Sequence, residues 1–255
     1  MRRRRAALRL LASLAVAGCA AAPEAPPPTA TAPPREPSFQ AHLDRLGVDL
    51  TLPPAGKAIV VNIPAFRLVA FEDATPVLTS RVIVGTPWNR TPRLETHTTT
   101  VRFRPTWRPT PSMIASGEVE AGVRPPGRDN PLGLAAIRLE EGLLVYLHDT
   151  NRRDLFAEAE RALSHGCIRV ERWDALVAWL LERDLAWVHA MAEGDRTVDV
   201  PAPEVPVILG YFPVFPDATG RAVRHDDVYD LVDAPPEDAD RAMRSAPCPG
   251  AFADG

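Results

Sequence analysis

Ile59-Val60-Val61-Asn62-Ile63-Pro64-Ala65-Phe66-Arg67-Leu68-Val69-Ala70-Phe71 is the stretch that decides the fold class. Two β-branched, apolar runs flank a short segment opened by proline, the pattern of two strands joined by a turn. Val77 to Val84 repeats it after a Glu72-Asp73 turn signal, and Thr98 to Phe103 and Leu143 to His148 continue it. The pattern resumes at Val205 to Tyr211 and closes in an expected hairpin through Asp217-Ala218-Thr219-Gly220. A mainly β core with a few flanking helices is the expectation.

Helical spacing occurs in three places. Phe39, Leu43, Leu46 and Leu50 suit one short helix, and Leu155, Ala159, Ala162 and Leu163 suit a second over Asp154 to Leu163. The third runs from Trp173 to His189 and is interrupted near Arg183-Asp184. Pro105 to Pro131, rich in Pro, Gly and Arg, reads as a long irregular loop bordering a site.

The chain has 255 residues, 45% of them apolar and 24% charged, enough for one good core plus tails. A net charge of -4 with scattered basic residues excludes a nucleic-acid stripe and gives no sign of a polyanion partner. Met1-Arg2-Arg3-Arg4-Arg5 followed by the short apolar run Leu8 to Ala17 is an export signal, too short to span a bilayer. Val16-Ala17-Gly18-Cys19 resembles a bacterial lipobox, which makes Cys19 a lipidation site; a plain signal cleaved near Ala20-Ala21-Ala22 is the alternative.

The expected organisation is a lipoprotein signal peptide over 1–19, a Pro/Ala-rich tether over 20–37 and a lead-in segment over 38–56. A catalytic domain follows over 57–230, with a loose tail over 231–255. The expected setting is periplasmic, on a lipid anchor in a bacterial envelope membrane, the outer one favoured, and the chain is expected to be monomeric.

Chemistry concentrates in Ser164-His165-Gly166-Cys167-Ile168-Arg169. A thiol attacks only as thiolate, and an ordinary pKa of roughly 8.5 leaves little of it at neutral pH, so a basic partner is required. His165 is too close along the chain to meet the sulfur head-on. His148, nineteen residues upstream at the end of an apolar strand, approaches freely and is the better base. Gly166 leaves room for a substrate carbonyl, and backbone N–H groups around Gly166 and Cys167 are candidate oxyanion donors. Cys167 and Cys248 form an even pair in an oxidising compartment. A disulfide between them is nevertheless not expected, because the tail around Cys248 packs poorly and the motif needs a free thiol. Zinc held by His148, His165 and Cys167 is the rival chemistry, although no activating Glu of the familiar zinc motifs accompanies it. No cofactor and no metal are expected.

Tyr146-Leu147-His148-Asp149-Thr150 followed by Ser164-His165-Gly166-Cys167-Ile168-Arg169 resembles the catalytic signature of the L,D-transpeptidase (YkuD-type) family. Val61 to Leu68, Asn130-Pro131-Leu132-Gly133 and Arg224-His225-Asp226-Asp227-Val228-Tyr229 are similar to its Gram-negative branch. Arg104 and Arg108 depart from that branch, which tends to carry asparagines there. The resemblance implies a YkuD-like β-sandwich, Cys167 as nucleophile and His148 as proton donor and acceptor. It also implies that Ser164, His165 and Gly166 shape the site and its oxyanion hole. Substrate contacts are expected from Arg169 and Tyr146. The implied substrate is a peptidoglycan tetrapeptide stem, cleaved with loss of D-alanine and joined to a second stem in a 3-3 cross-link. L,D-carboxypeptidase activity, attachment of a lipoprotein, and a non-catalytic peptidoglycan-binding role are the alternatives.

Overall fold

The computed structural model describes residues 37–232 except Glu118. The signal, the lipobox with Cys19, nearly all of the tether, and the tail from 233 with Cys248 lie outside the described residues. Among the described residues no helix is long and apolar enough to cross a membrane.

Helix α1 (Phe39–Leu46) starts where Ser38 accepts a hydrogen bond from the Ala41 N–H at 3.2 Å, and it stops at Gly47, which takes the left-handed conformation. It leads into β1 (Lys57–Asn62), β2 (Arg67–Glu72), β3 (Thr75–Gly85) and β4 (Leu94–Phe103). A short helix α2 (Pro111–Ala115) lies within the long loop before β5 (Ala135–Leu139) and β6 (Tyr146–His148). Then come β7 (Ala162–Ser164), β8 (Ile168–Val170), α3 (Trp173–Leu181) and α4 (Leu185–Ala192). The last elements are β9 (Val198–Pro201), β10 (Pro206–Gly210), β11 (Val214–Pro216) and β12 (Ala222–Arg224).

The strands run in the order β10-β1-β2-β3-β8-β6-β5-β4, and β10 also pairs with the first half of β4, so the sheet closes on itself. Strand β9 pairs with the second half of β4. The mainly β expectation holds; the layers of the expected sandwich belong to one closed sheet. Closure removes open edges, which are the weak points of a β protein. Ile59, Val61 and Leu68 point into the main core, whereas Val60, Val69 and Phe71 point outward and are covered by Leu43 of α1 with Leu50, Leu52 and Phe215. Burial on both faces explains why β1 and β2 read as continuous apolar runs rather than alternating ones.

Two helices of the reading change. Arg153–Ala157 is a single 3-10 turn that ends at an extended Glu158, and Ala162–Ser164 is a strand running parallel to β3. Phe156 and Ala162 are buried while Leu163 is exposed, so the helical spacing of 155, 159, 162 and 163 was coincidental and sheet pairing prevails. The Trp173–His189 run is two helices, divided where Asp184 caps α4 by accepting from the Trp187 N–H at 2.7 Å. Trp173 is buried, Trp179 donates to Glu72, and Trp187 meets Phe103 edge-on, which makes all three packing residues.

Candidate active site

Parallel pairing of β6 with β8 sets Leu147 beside Ile168 and His148 beside Arg169. Side chains two apart along an extended segment share a face, so this register brings His148, Arg169 and the preceding Cys167 to one side of the sheet. His148, Ser164, His165, Cys167 and Arg169 line one small cleft of about 60 Å³ with Trp107, Met113, Pro131 and Leu132. A larger cavity of about 690 Å³, lined by the end of α1 and by residues 208–214, holds neither the cysteine nor its histidine.

His148 is 5% exposed, and its Nδ1 hydrogen-bonds the Asp149 carbonyl oxygen. A carbonyl only accepts, so Nδ1 carries the proton and Nε2 keeps its lone pair. Burial first, and the Arg169 charge second, lower the His148 pKa to about 3. The ring is therefore neutral at physiological pH and able to take a proton.

Asp149 is itself fixed. One carboxylate oxygen pairs with Arg153 at 2.7 Å and the other accepts from the Leu134 N–H at 3.0 Å, while burial raises its pKa. Gly133, at φ +64°, lies so close that an added Cβ would stand 2.4 Å from the Asp149 carboxylate. No other residue fits there, which gives the Asn130-Pro131-Leu132-Gly133 motif a physical purpose. Asn130 is buried beside it, donating to the carbonyls of Pro105 and Pro125, each at 2.9 Å, and accepting from the Leu132 N–H. It staples the long loop that carries Trp107 and Met113.

Around the cysteine, Ser164 Oγ accepts from the Gly166 N–H at 3.1 Å and donates to the Cys167 carbonyl at 2.6 Å. The Gly166 N–H is thus already engaged. Gly166 sits at φ +110°, a conformation open to glycine.

Cys167 is 4% exposed and disulfide-bonded, contrary to the free thiol expected from the motif. Once the bond is reduced, the Leu144 carbonyl, 3.9 Å from Sγ, is placed to accept from the thiol.

Two more expectations are corrected or refined. Tyr146, two residues before His148 on β6, is 3% exposed within the main core and does not line the cleft. The Arg104 guanidinium reaches toward the Ala192 carbonyl at the end of α4, and Arg102 forms a two-pronged pair with Asp199 at 2.7 Å, so neither faces the cleft. Arg169 lines the cleft, with its pKa lowered by burial, and makes no salt bridge or hydrogen bond among the described residues. Among the described residues no group of three His, Cys, Asp or Glu side chains converges as a metal site.

A closed, mainly β sheet thus brings a buried histidine and a cysteine to one cleft. The family model of YkuD, the L,D-transpeptidase catalytic domain, matches residues 56–200, and the chain belongs to that family. It is 34% identical over 153 residues to "Probable L,D-transpeptidase ErfK/SrfK" of Escherichia coli K12, covering 54% of this chain and 47% of that protein. A Haemophilus influenzae protein carrying the L,D-transpeptidase name is 29% identical over 222 residues, covering 70% of this chain and 45% of that one. The chain thus spans less than half the length of these relatives. Among solved structures, an L,D-transpeptidase from Mycobacterium smegmatis aligns over 61% of this chain and 59% of its own, at 19% identity and a TM-score of 0.39.

Proposed function

We propose that the reduced protein is a cysteine-dependent L,D-transpeptidase of peptidoglycan, working in the periplasm from a lipid anchor. The observation that carries this reading is the tautomer of His148. With Nδ1–H donated to the Asp149 carbonyl, the neutral ring keeps a lone pair on Nε2, and His148 and Cys167 line one cleft. Because burial holds the ring neutral, a resting thiolate–imidazolium pair is not favoured, and the thiol proton moves to Nε2 as Sγ attacks.

The donor is a tetrapeptide stem. Sγ adds to the carbonyl of its third residue, the C–N bond to D-alanine breaks, and His148 returns the proton to the leaving amine. A thioester on Cys167 remains. The side-chain amine of a second stem then attacks it, giving a 3-3 cross-link and regenerating the thiol. Arg169, a partly buried cation on the cleft, suits a carboxylate of the stem; burying such a charge is costly, and an anionic substrate offsets that cost.

The disulfide at Cys167 favours a second reading, a peptidoglycan-binding protein that keeps the fold without turnover. Incubating the reduced protein with purified tetrapeptide muropeptides, followed by mass spectrometry, separates the two. Transpeptidation gives free D-alanine and a 3-3 dimer, and binding alone returns unchanged stems. Tripeptide without dimer would instead mean water as acceptor, and a stem-linked protein would mean a protein amine.

A further inference from the structure

Two buried residues outside the cleft stand behind the backbone beside Cys167, Thr91 bonding it directly and Tyr229 bonding Thr91. Thr91 is fully buried; its Oγ1 donates to the Gly166 carbonyl at 2.9 Å and accepts from the Gly85 N–H at 2.9 Å. The Thr91 N–H donates to Tyr229 Oη at 3.1 Å, and that hydroxyl donates to the Gly85 carbonyl at 2.7 Å. Tyr229 is also fully buried, stacks on Tyr211 with ring centroids 5.6 Å apart, and donates its own N–H to Tyr211 Oη at 2.9 Å. Asp227 accepts from Tyr211 Oη and from the N–H groups of Leu231 and Val232. The Arg224 to Tyr229 motif is thereby tied, through one hydroxyl and one threonine, to the peptide that carries the nucleophile.

The consequence follows from peptide planarity. In a trans peptide the C=O and the next N–H point in opposite directions. Holding the Gly166 carbonyl toward Thr91 therefore aims the Cys167 N–H the other way. Ser164 fixes the units on either side by engaging the Gly166 N–H and the Cys167 carbonyl. One group in each of three successive peptide units is held by a hydroxyl, and Gly166 among them sits at φ +110°.

We propose that Thr91 and Tyr229 are positioning residues for acyl transfer, holding the Gly166–Cys167 peptide so that the Cys167 N–H serves as oxyanion donor. Neither lines the cleft, so neither touches substrate. This rests on the function proposed above.

The test compares the reduced full chain with Thr91→Val, Thr91→Ser and Tyr229→Phe, measuring acylation by a tetrapeptide stem per correctly folded molecule. Loss of an oxyanion donor lowers turnover by about 100- to 1,000-fold. A mis-aimed donor in Thr91→Val should lower the acylation rate about 10- to 100-fold, with KM within about twofold of wild type. Thr91→Ser, which keeps the hydroxyl, should recover to within about threefold, and Tyr229→Phe should fall in the same direction, standing in should Thr91→Val not fold. Thr91→Val or Tyr229→Phe acylating at the wild-type rate, or Thr91→Ser failing to rescue, overturns the positioning role alone. A wild-type protein that never acylates overturns the functional reading and this inference together.

Discussion

Replacing His148 with glutamine should make the fold less sensitive to acid, by an amount that the burial of the ring sets. In the folded chain His148 stays neutral down to about pH 3; in the unfolded chain it titrates at its ordinary 6.5. Below pH 6.5 the unfolded chain therefore gains a proton that the folded chain refuses, and stability falls as pH falls, at about 1.4 kcal/mol per unit. Between pH 7 and pH 5 the loss is about 2 kcal/mol, a large part of the roughly 5–15 kcal/mol that holds a domain together. Urea unfolding of the reduced wild type and His148→Gln at both pH values isolates the effect, since the other titrating groups are common to both. The wild type should lose about 2 kcal/mol more than the variant, or about 1 M in midpoint at an m-value near 2 kcal/mol/M. Equal losses would mean that the ring is not held neutral by the fold, and the proton-transfer argument would go with it.

Three further outcomes follow from the same geometry. Arg169→Gln should raise KM for a carboxylate-bearing stem about 10- to 150-fold, matching roughly 1.5–3 kcal/mol for a charged hydrogen bond. It should also shift the acid limb of the kcat/KM profile to higher pH, because one of the two influences depressing His148 is gone; an unmoved limb and an unchanged KM would refute the placement of that cation. The protein isolated without reductant should be inactive and lighter by two hydrogen atoms than the reduced form, with activity restored by a dithiol; full activity with the disulfide intact would exclude Cys167 as nucleophile. Asn130→Ala should cost about 1–3 kcal/mol for each loop group it leaves unpaired and speed amide exchange across 105–131; exchange at the wild-type rate would show that the loop is held by something else.

Much of the fold was legible because β1 to β3 have intense local signals: β-branched runs broken by proline and acidic turns. Strands β5 and β9 were not, since Ala135-Ala136-Ile137-Arg138-Leu139 and Val198-Asp199-Val200-Pro201 are short, and their pairing with β4 decides them. The reading of Asp154 to Leu163 failed for the same reason, a tertiary pairing outweighing a local period. Within the site, a nucleophile motif is a local pattern, so Cys167 with its neighbours and a strand-end histidine stood out. The loop walls Trp107 and Met113 were announced only as a loop. Thr91 stood in no motif and Tyr229 only in a stretch similar to the family; the bonds of both reach carbonyls far along the chain, 75 residues away for Thr91 and 144 for Tyr229. Tyr146 misled because adjacency to the motif was taken for exposure to the cleft, whereas its side chain is enclosed in the main core.

The central claim is that Cys167 forms a thioester with the stem. Reduced protein mixed with a tetrapeptide stem, quenched in acid within the first turnover, digested and mapped by mass spectrometry tests it directly. The account predicts an adduct equal to the stem minus D-alanine on the Cys167 peptide of the wild type, and none in Cys167→Ala. Stem conversion that persists in Cys167→Ala, or an adduct mapped to any other residue, would contradict it.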